Sequence, residues 1–235
     1  MKNSELSEKK WSKFLRRVRL FRFVPFTDFV LAAGSLATGN LHENSDFDVI
    51  LGVRNGRVFT TRFFAVTFLG FLGVRRKKMT HGEEASDKIC LSHFVTAKSY
   101  RLTPPYNDYW QNLYYNLVPV LGSDEKINDF FKANNWLKPE RVYDQKAYKG
   151  NPFHLNPKDS LIRSLLEKAL GGGFGDWLER RLKNLQIRRI ERSLDVVEGY
   201  KPRVIYTDDE LEFHPDTRRI EEMIKNKTIK VVKRA

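Results

Sequence analysis

Residues 31–51, LAAGSLATGNLHENSDFDVIL, decide the fold of this chain. The stretch opens with a small-residue turn, Gly34-Ser35, and closes with two carboxylates, Asp46 and Asp48, inside an apolar run. Because successive side chains of a β-strand point to opposite faces, these two carboxylates share one face of a predicted strand. The alternate residues face a core: Phe47, Val49 and Leu51.

The two ends of this stretch have complementary chemistry. Neighbouring carboxylates repel each other and resist burial. A hard divalent cation such as Mg²⁺ relieves that repulsion, and protein-bound Mg²⁺ commonly carries substrate phosphates. Gly34 allows the backbone to approach a ligand closely, and Ser35 offers a hydroxyl and nearby N–H groups for phosphate oxygens. The pattern therefore predicts a site for a metal-bound nucleoside triphosphate (NTP).

The pattern resembles the nucleotidyltransferase superfamily related to DNA polymerase β, over about the first 100 residues. The matching residues are Gly34-Ser35 and, after a spacer, Asp46-Phe47-Asp48-Val49. The resemblance implies transfer of a nucleoside monophosphate (NMP) from an NTP to an acceptor, with release of pyrophosphate. It also implies that Asp46 and Asp48 are catalytic and hold Mg²⁺ or Mn²⁺, and that Gly34 and Ser35 position the outer phosphates.

The sequence departs from this family at one position. Active members usually carry a third carboxylate on the strand that follows the helix after the Asp-x-Asp strand. The corresponding segment here, residues 88–97, has no acidic residue. Asp87 lies just before it, and His93 within it is a candidate ligand or base. The departure supports a second hypothesis, a catalytically degenerate nucleotide- or RNA-binding protein on the same fold.

Composition limits the class of protein. The chain has 235 residues, 41% of them hydrophobic, and a net charge of +13. This balance fits a globular protein with NTP, RNA or another polyanion as partner, although a generally basic proteome would give the same charge. The single cysteine and the polar N-terminus predict a cytoplasmic protein without a signal peptide. The longest apolar run, residues 63–74, is too short to cross a bilayer, so we expect no transmembrane segment.

Apolar patterning predicts an α/β fold in which a nucleotidyltransferase-like mixed sheet with flanking helices occupies residues 1–103. A mostly helical domain follows over residues 104–200, after Pro104-Pro105. Residues 201–235 add a short extended segment, a terminal helix and a basic tail. The predicted strands are 29–33, 46–53 and 88–97; the predicted helices are 4–22, 59–72, 106–121, 124–134, 160–170 and 176–199.

Two of the three basic groups have two interpretations. Residues 75–78, RRKK, form either a solvated helix end or a phosphate-binding cluster. The arginines of helix 176–199 alternate with Glu179, Glu191 and Asp195, which favours a salt-bridged solvated helix over an RNA-facing one. Three lysines between residues 138 and 158 are candidates for phosphate contact: Lys146, Lys149 and Lys158.

Overall fold

The structure is a computed structural model that describes residues 2–77, 85–102, 108–137, 153–155, 160–193 and 203–214. Several predictions lie outside these residues: the boundary at Pro104-Pro105, the terminal helix, the basic tail and the three candidate lysines at 146, 149 and 158.

A six-stranded mixed sheet forms the centre of the described chain, in the order β4-β1-β2-β3-β6-β5. The strands are β1 (Thr27–Ala32), β2 (Phe47–Val53), β3 (Ile89–Val95), β4 (Val118–Gly122), β5 (Arg203–Tyr206) and β6 (Glu210–His214). β2 and β3 run parallel, and the other neighbouring strands are antiparallel. The parallel pair requires a crossover, which the intervening helix provides.

Helices flank this sheet, and the predicted α/β class is confirmed. The α-helices are α1 (Lys2–Val18), α2 (Gly34–Thr38), α3 (Val58–Phe71), α4 (Asp108–Tyr115), α5 (Asp124–Ala133), α6 (Leu161–Ala169) and α7 (Gly173–Ser193). Short 3₁₀ helices follow α1 and α5, at Arg19–Phe23 and Asn135–Leu137. No helix in the described residues has both the length and the apolar character needed to cross a membrane.

The two faces of the sheet carry separate cores. Phe47, Val49 and Leu51 of β2 are fully buried, as the sequence predicts, in a core with residues of α1, α3 and α7. The opposite face packs against α4 and α5 through a second core that includes Ile50. Since side chains alternate along a strand, Asp48 lies on the same face as Ile50. The acidic side of β2 therefore faces the α4 and α5 side of the sheet.

The predicted helix over residues 106–121 is wrong in its second half. α4 ends at Tyr115, and residues 118–122 form β4, which pairs with β1 and is the last strand on that side of the sheet among the described residues. Pro119 cannot donate a backbone hydrogen bond, and an edge strand is the part of a sheet that tolerates proline. The apolar residues that suggest a helix instead supply buried strand positions, Val120 and Leu121.

The sheet also extends across the predicted domain boundary. β4, β5 and β6 all come from residues after 104, yet they belong to the same sheet as β1, β2 and β3. β5 and β6 form a hairpin whose second strand pairs with β3. The extended segment predicted after residue 200 thus forms the last two strands of the sheet, β6 and β5.

Candidate active site

The Gly-Ser turn lies in direct contact with the acidic strand. β1 ends at Ala32, and the next N–H, that of Ala33, donates a hydrogen bond to the carbonyl oxygen of Asp48 at 3.0 Å. Gly34 has a φ of +61°, and a Cβ there would lie 2.1 Å from Asp48 Oδ2. Only glycine combines this backbone conformation with such a close approach. Ser35 follows as a partly exposed residue of α2.

Three potential ligand groups converge beside this turn. Asp46 lies just before β2, Asp48 lies within it, and Cys90 is paired with Asp48 across the parallel strands β2 and β3. One ligand atom from each residue lies within 4.8 Å of the other two, so the group could hold a metal ion. Asp46 and Asp48 are partly exposed and Cys90 is buried. The predicted convergence of the two carboxylates is present.

The electrostatics of the group favour a bound cation. Burial first, and then the charge of Asp46, raise the pKa of Asp48 to about 7, although a hydrogen bond with Cys90 and the charge of Arg76 act to lower it. Burial and the neighbouring Asp48 likewise raise the pKa of the Cys90 thiol. Positive charge beside the two carboxylates would lower the pKa of Asp48 and favour its ionised form.

Arg76 already supplies part of that positive charge. Its guanidinium lies 2.7 Å from Asp46 Oδ2 in a partly buried ion pair. The backbone around it is extended beside the start of β3, because Ile89 donates to Val74 O at 2.8 Å and Arg76 donates to Ile89 O at 2.9 Å. This part of the basic run therefore belongs to the site and not to a solvated helix end, since α3 ends at Phe71.

Two residues near the predicted third-carboxylate position lie elsewhere. Asp87 forms ion pairs with Lys10 and Lys13 of α1. Burial acts to raise the pKa of Asp87, but the hydrogen bonds from the two lysines outweigh it, so that pKa is lowered. His93 is buried with its Nε2 3.0 Å from Glu210 Oε1. Neither residue belongs to the acidic group at Asp48.

His93 belongs instead to a second buried polar cluster, which links β3 to the hairpin β5–β6. His93, Glu210 and Glu212 have ligand atoms within 4.8 Å of one another. The guanidinium of Arg203 contacts both oxygens of Glu212 at 2.8 Å, and His214 Nε2 lies 3.3 Å from Glu212 Oε1. The positive charge of Arg203 balances the negative charge of Glu212, so the cluster is explained as a structural charge network.

Sequence reasoning missed Cys90 and the contact of Arg76 with Asp46. Cys90 lies 42 positions after Asp48 in the sequence, and only the register of β2 on β3 brings the two together. Its place in the strand 88–97 gives a weak indication, because the resemblance described above predicts a third carboxylate on that strand. Arg76 is part of a basic run that patterning alone cannot orient.

No family model matches the chain, and the search of curated proteins found no match.

Proposed function

We propose that this chain is a metal-dependent nucleotidyltransferase that moves an NMP group from an NTP to an acceptor. The observation that carries the proposal is the close approach of Gly34 to Asp48, with the Asp46 carboxylate beside it. The turn and the two carboxylates form one compact unit at the N-terminal end of β2. Such a unit suits a ligand that carries both phosphate oxygens and a divalent cation.

The donor set fits Mg²⁺ or Mn²⁺. Carboxylate oxygens are the protein ligands that Mg²⁺ prefers, and Asp46 and Asp48 supply them on one face. Burial and the charge of Asp46 raise the pKa of Asp48 although Arg76 lies close by, so a bound cation would favour the ionised form of Asp48. When bound, the ion would stabilise the attacking and leaving oxygens of an in-line phosphoryl displacement.

The residues of the chain have separate roles in this proposal. Asp46 and Asp48 would hold the ion, and the Gly34-Ser35 turn would position the outer phosphates through its hydroxyl and backbone. Arg76, 2.7 Å from Asp46, holds that carboxylate in place and adds positive charge near the phosphates. Much of the catalysis of phosphoryl transfer comes from such positioning and charge stabilisation.

The test is a transfer assay with each labelled NTP, Mg²⁺ or Mn²⁺ and a cell extract as source of acceptor. The wild-type chain is compared with Asp48→Asn, which keeps the shape and removes the charge. Asp129→Asn, an exposed carboxylate on α5, is the matched control. We expect Asp48→Asn to lose at least about 10³-fold in rate, because a catalytic cation contributes several kcal/mol. Full activity in Asp48→Asn would refute the proposal.

A second function, nucleotide or RNA binding without transfer, is favoured by one observation. The residue opposite Asp48 is Cys90, a buried thiol with a raised pKa, on the strand where the resemblance predicts a third carboxylate. A neutral thiol is a poor general base for an acceptor hydroxyl. This function would be selected if the chain binds labelled NTP, measured beside the transfer assay, but transfers no label to any acceptor.

A further inference from the structure

Helix α7 has an inner face that is firmly attached to α3. Glu179 accepts hydrogen bonds from the N–H groups of Phe59 and Thr60, each at 2.8 Å. Gln186 Nε2 donates to the carbonyl oxygen of Phe59 at 2.8 Å, and Leu182 is buried beneath. These contacts fix the rotation of α7 about its own axis, and so they determine which side chains point outward.

The outward face of α7 carries a strongly basic groove of about 610 Å³. Its lining residues are four arginines with one asparagine and one leucine: Arg181, Asn184, Leu185, Arg188, Arg189 and Arg192. In the part of the chain that the structure describes, no ion pair involves any of these four arginines. Two carboxylates of the helix are used elsewhere, since Glu179 binds α3 and Asp176 pairs with Arg57 at 2.6 Å, whereas Glu191 is exposed to solvent. Among the described residues, the predicted salt bridges of these four arginines with Glu179 and Glu191 are therefore absent, and Asp195, the third predicted partner, lies outside those residues.

An exposed aromatic column adjoins the groove. The rings of Phe174 and Trp177 stack with centroids 5.7 Å apart and planes 25° apart. The Arg181 guanidinium lies over the Trp177 ring, 5.6 Å from its centroid. Phe174 is 61% exposed and Trp177 46% exposed, so large apolar rings face solvent beside the arginines of the groove. Nucleobases stack on such rings, and phosphates pair with such arginines.

We propose that this surface, from Phe174 to Arg192, binds single-stranded nucleic acid. The column would stack exposed bases while the arginines of the groove contact the phosphates. From residue 177 to residue 192 the helix rises about 22 Å, which suits roughly four nucleotides, the lower end of known site sizes. A duplex hides its bases from the column, so it would gain only the electrostatic contacts.

The composition of the face argues against a lipid surface as its occupant. A helix that lies on a membrane carries an apolar stripe along its length. On α7 the aromatic rings occupy only the first turn, and positions 188, 189 and 192 of the groove are arginines. Charge complementarity therefore favours a polyanion that also offers flat rings.

This inference does not depend on the transferase proposal. The groove contains none of Gly34, Asp46, Asp48 or Arg76, and α7 packs on the other face of the sheet from the acidic residues. Binding at α7 should survive Asp48→Asn, whether or not the chain transfers an NMP group. Failure of one proposal is thus distinguishable from failure of the other.

The experiment measures binding of the full chain to a labelled oligouridylate of about twelve nucleotides by fluorescence anisotropy at several salt concentrations. We expect binding that weakens as salt increases. Arg188→Ala/Arg192→Ala should lower affinity at least about tenfold and reduce the salt slope by about 1.4, that is 0.7 for each lost phosphate contact on a single strand. Arg180→Ala, an exposed arginine of the same helix outside the groove, should change affinity less than about twofold.

A second variant tests the aromatic column separately. Trp177→Ala should weaken binding roughly tenfold, whereas Trp177→Phe should keep affinity because it keeps a ring. Trp177→Phe should also lose most of the quenching of tryptophan fluorescence by RNA. A thermal melt like that of the wild type shows that each variant is folded. An oligothymidylate of the same length distinguishes RNA from DNA, and tighter binding of RNA would indicate 2′-hydroxyl contacts.

Three outcomes would overturn the inference. The first is unchanged affinity in both Arg188→Ala/Arg192→Ala and Trp177→Ala. The second is binding of a duplex at least as tight as that of the single strand. The third is binding to anionic phospholipid vesicles with none to either oligonucleotide.

Discussion

Gly34 packs directly against the carboxyl group of Asp48, with so little space that a Cβ on residue 34 would lie 2.1 Å from Oδ2. The N–H of the preceding residue, Ala33, also bonds the backbone carbonyl of Asp48 at 3.0 Å. The turn after β1 and the acidic strand β2 therefore share one rigid geometry. A side chain in the turn would move the carboxylate itself.

Gly34→Ala should inactivate the candidate site and destabilise the fold. The variant has both a clash with Asp48 and a non-glycine residue at positive φ, and the strained φ alone costs about 1–3 kcal/mol. Gly39→Ala is the matched control, because Gly39 has a φ of +79° but no atom within 4 Å of its Cβ position. Denaturant unfolding of both variants separates strain from clash. Equal losses of stability would show that the contact with Asp48 is unimportant.

Arg76→Ala should increase the affinity for divalent cations. The Arg76 guanidinium lies 2.7 Å from Asp46 Oδ2 and so competes with a metal ion for that oxygen. The pair is partly exposed and contributes about 1 kcal/mol, which predicts roughly fivefold tighter cation binding in the variant. The measurement is the increase of melting temperature with Mn²⁺ or Mg²⁺ concentration. Arg76→Lys keeps the charge and should resemble the wild type; an unchanged affinity in Arg76→Ala would contradict competition at Asp46.

Glu179→Ala should destabilise the protein by about 2 kcal/mol. Its carboxylate accepts two hydrogen bonds, at 2.8 Å each, from the first N–H groups of α3, which no residue within α3 can satisfy. Glu191→Ala is the control, since Glu191 is exposed on the same helix and should change stability by less than about 0.5 kcal/mol. Urea unfolding measures both, and a similar small effect for the two variants would mean that the cap is dispensable.

Glu212→Gln should remove a pH-dependent part of the stability. Burial acts to raise the pKa of Glu212, but the hydrogen bond with His214 and the charges of His93, His214 and Arg203 outweigh it and lower that pKa from 4.5 to about 2. A lowered pKa in the folded state stabilises the fold above the unfolded value of 4.5. That stability is lost as pH falls from 4.5 towards 2.

The wild type should therefore exceed Glu212→Gln by roughly 3 kcal/mol at neutral pH, and the difference should shrink as the pH falls below about 4.5. The measurement is urea unfolding of both proteins across this range. Glu125→Gln, an exposed carboxylate of α5, should track the wild type throughout. A difference between Glu212→Gln and wild type that is independent of pH would exclude the charge network as its source.

The local sequence was sufficient to predict β2 and its two faces. The alternation of Asp46, Phe47, Asp48 and Val49 is a period-2 pattern, and a strand with one buried face is the structure that satisfies it. The segments 59–72 and 124–134 were also correctly predicted as helices. The apolar residues of α5 bury one face of that helix, whereas α3, which its composition predicts to be buried on several sides, leaves Phe63 and Phe71 exposed. The segment 106–121 was misread because a short apolar run fits a helix and an edge strand alike.

The sequence alone did not predict which strands and helices contact one another. Cys90 is opposite Asp48, and Arg76 binds Asp46, only because β3 lies parallel to β2 and residues 74–76 follow its edge. The arginine groove of α7 likewise exists because Glu179 and Gln186 fix the rotation of that helix on α3.

By itself, the sequence determined which residues alternate, which face a core and where glycine is needed, since these follow from backbone geometry within a few residues. Tertiary structure alone decided which group completes the acidic site and which arginines pair with no carboxylate among the described residues. Those contacts join residues 30 to 120 positions apart, and their formation depends on sheet register and helix packing over the whole chain.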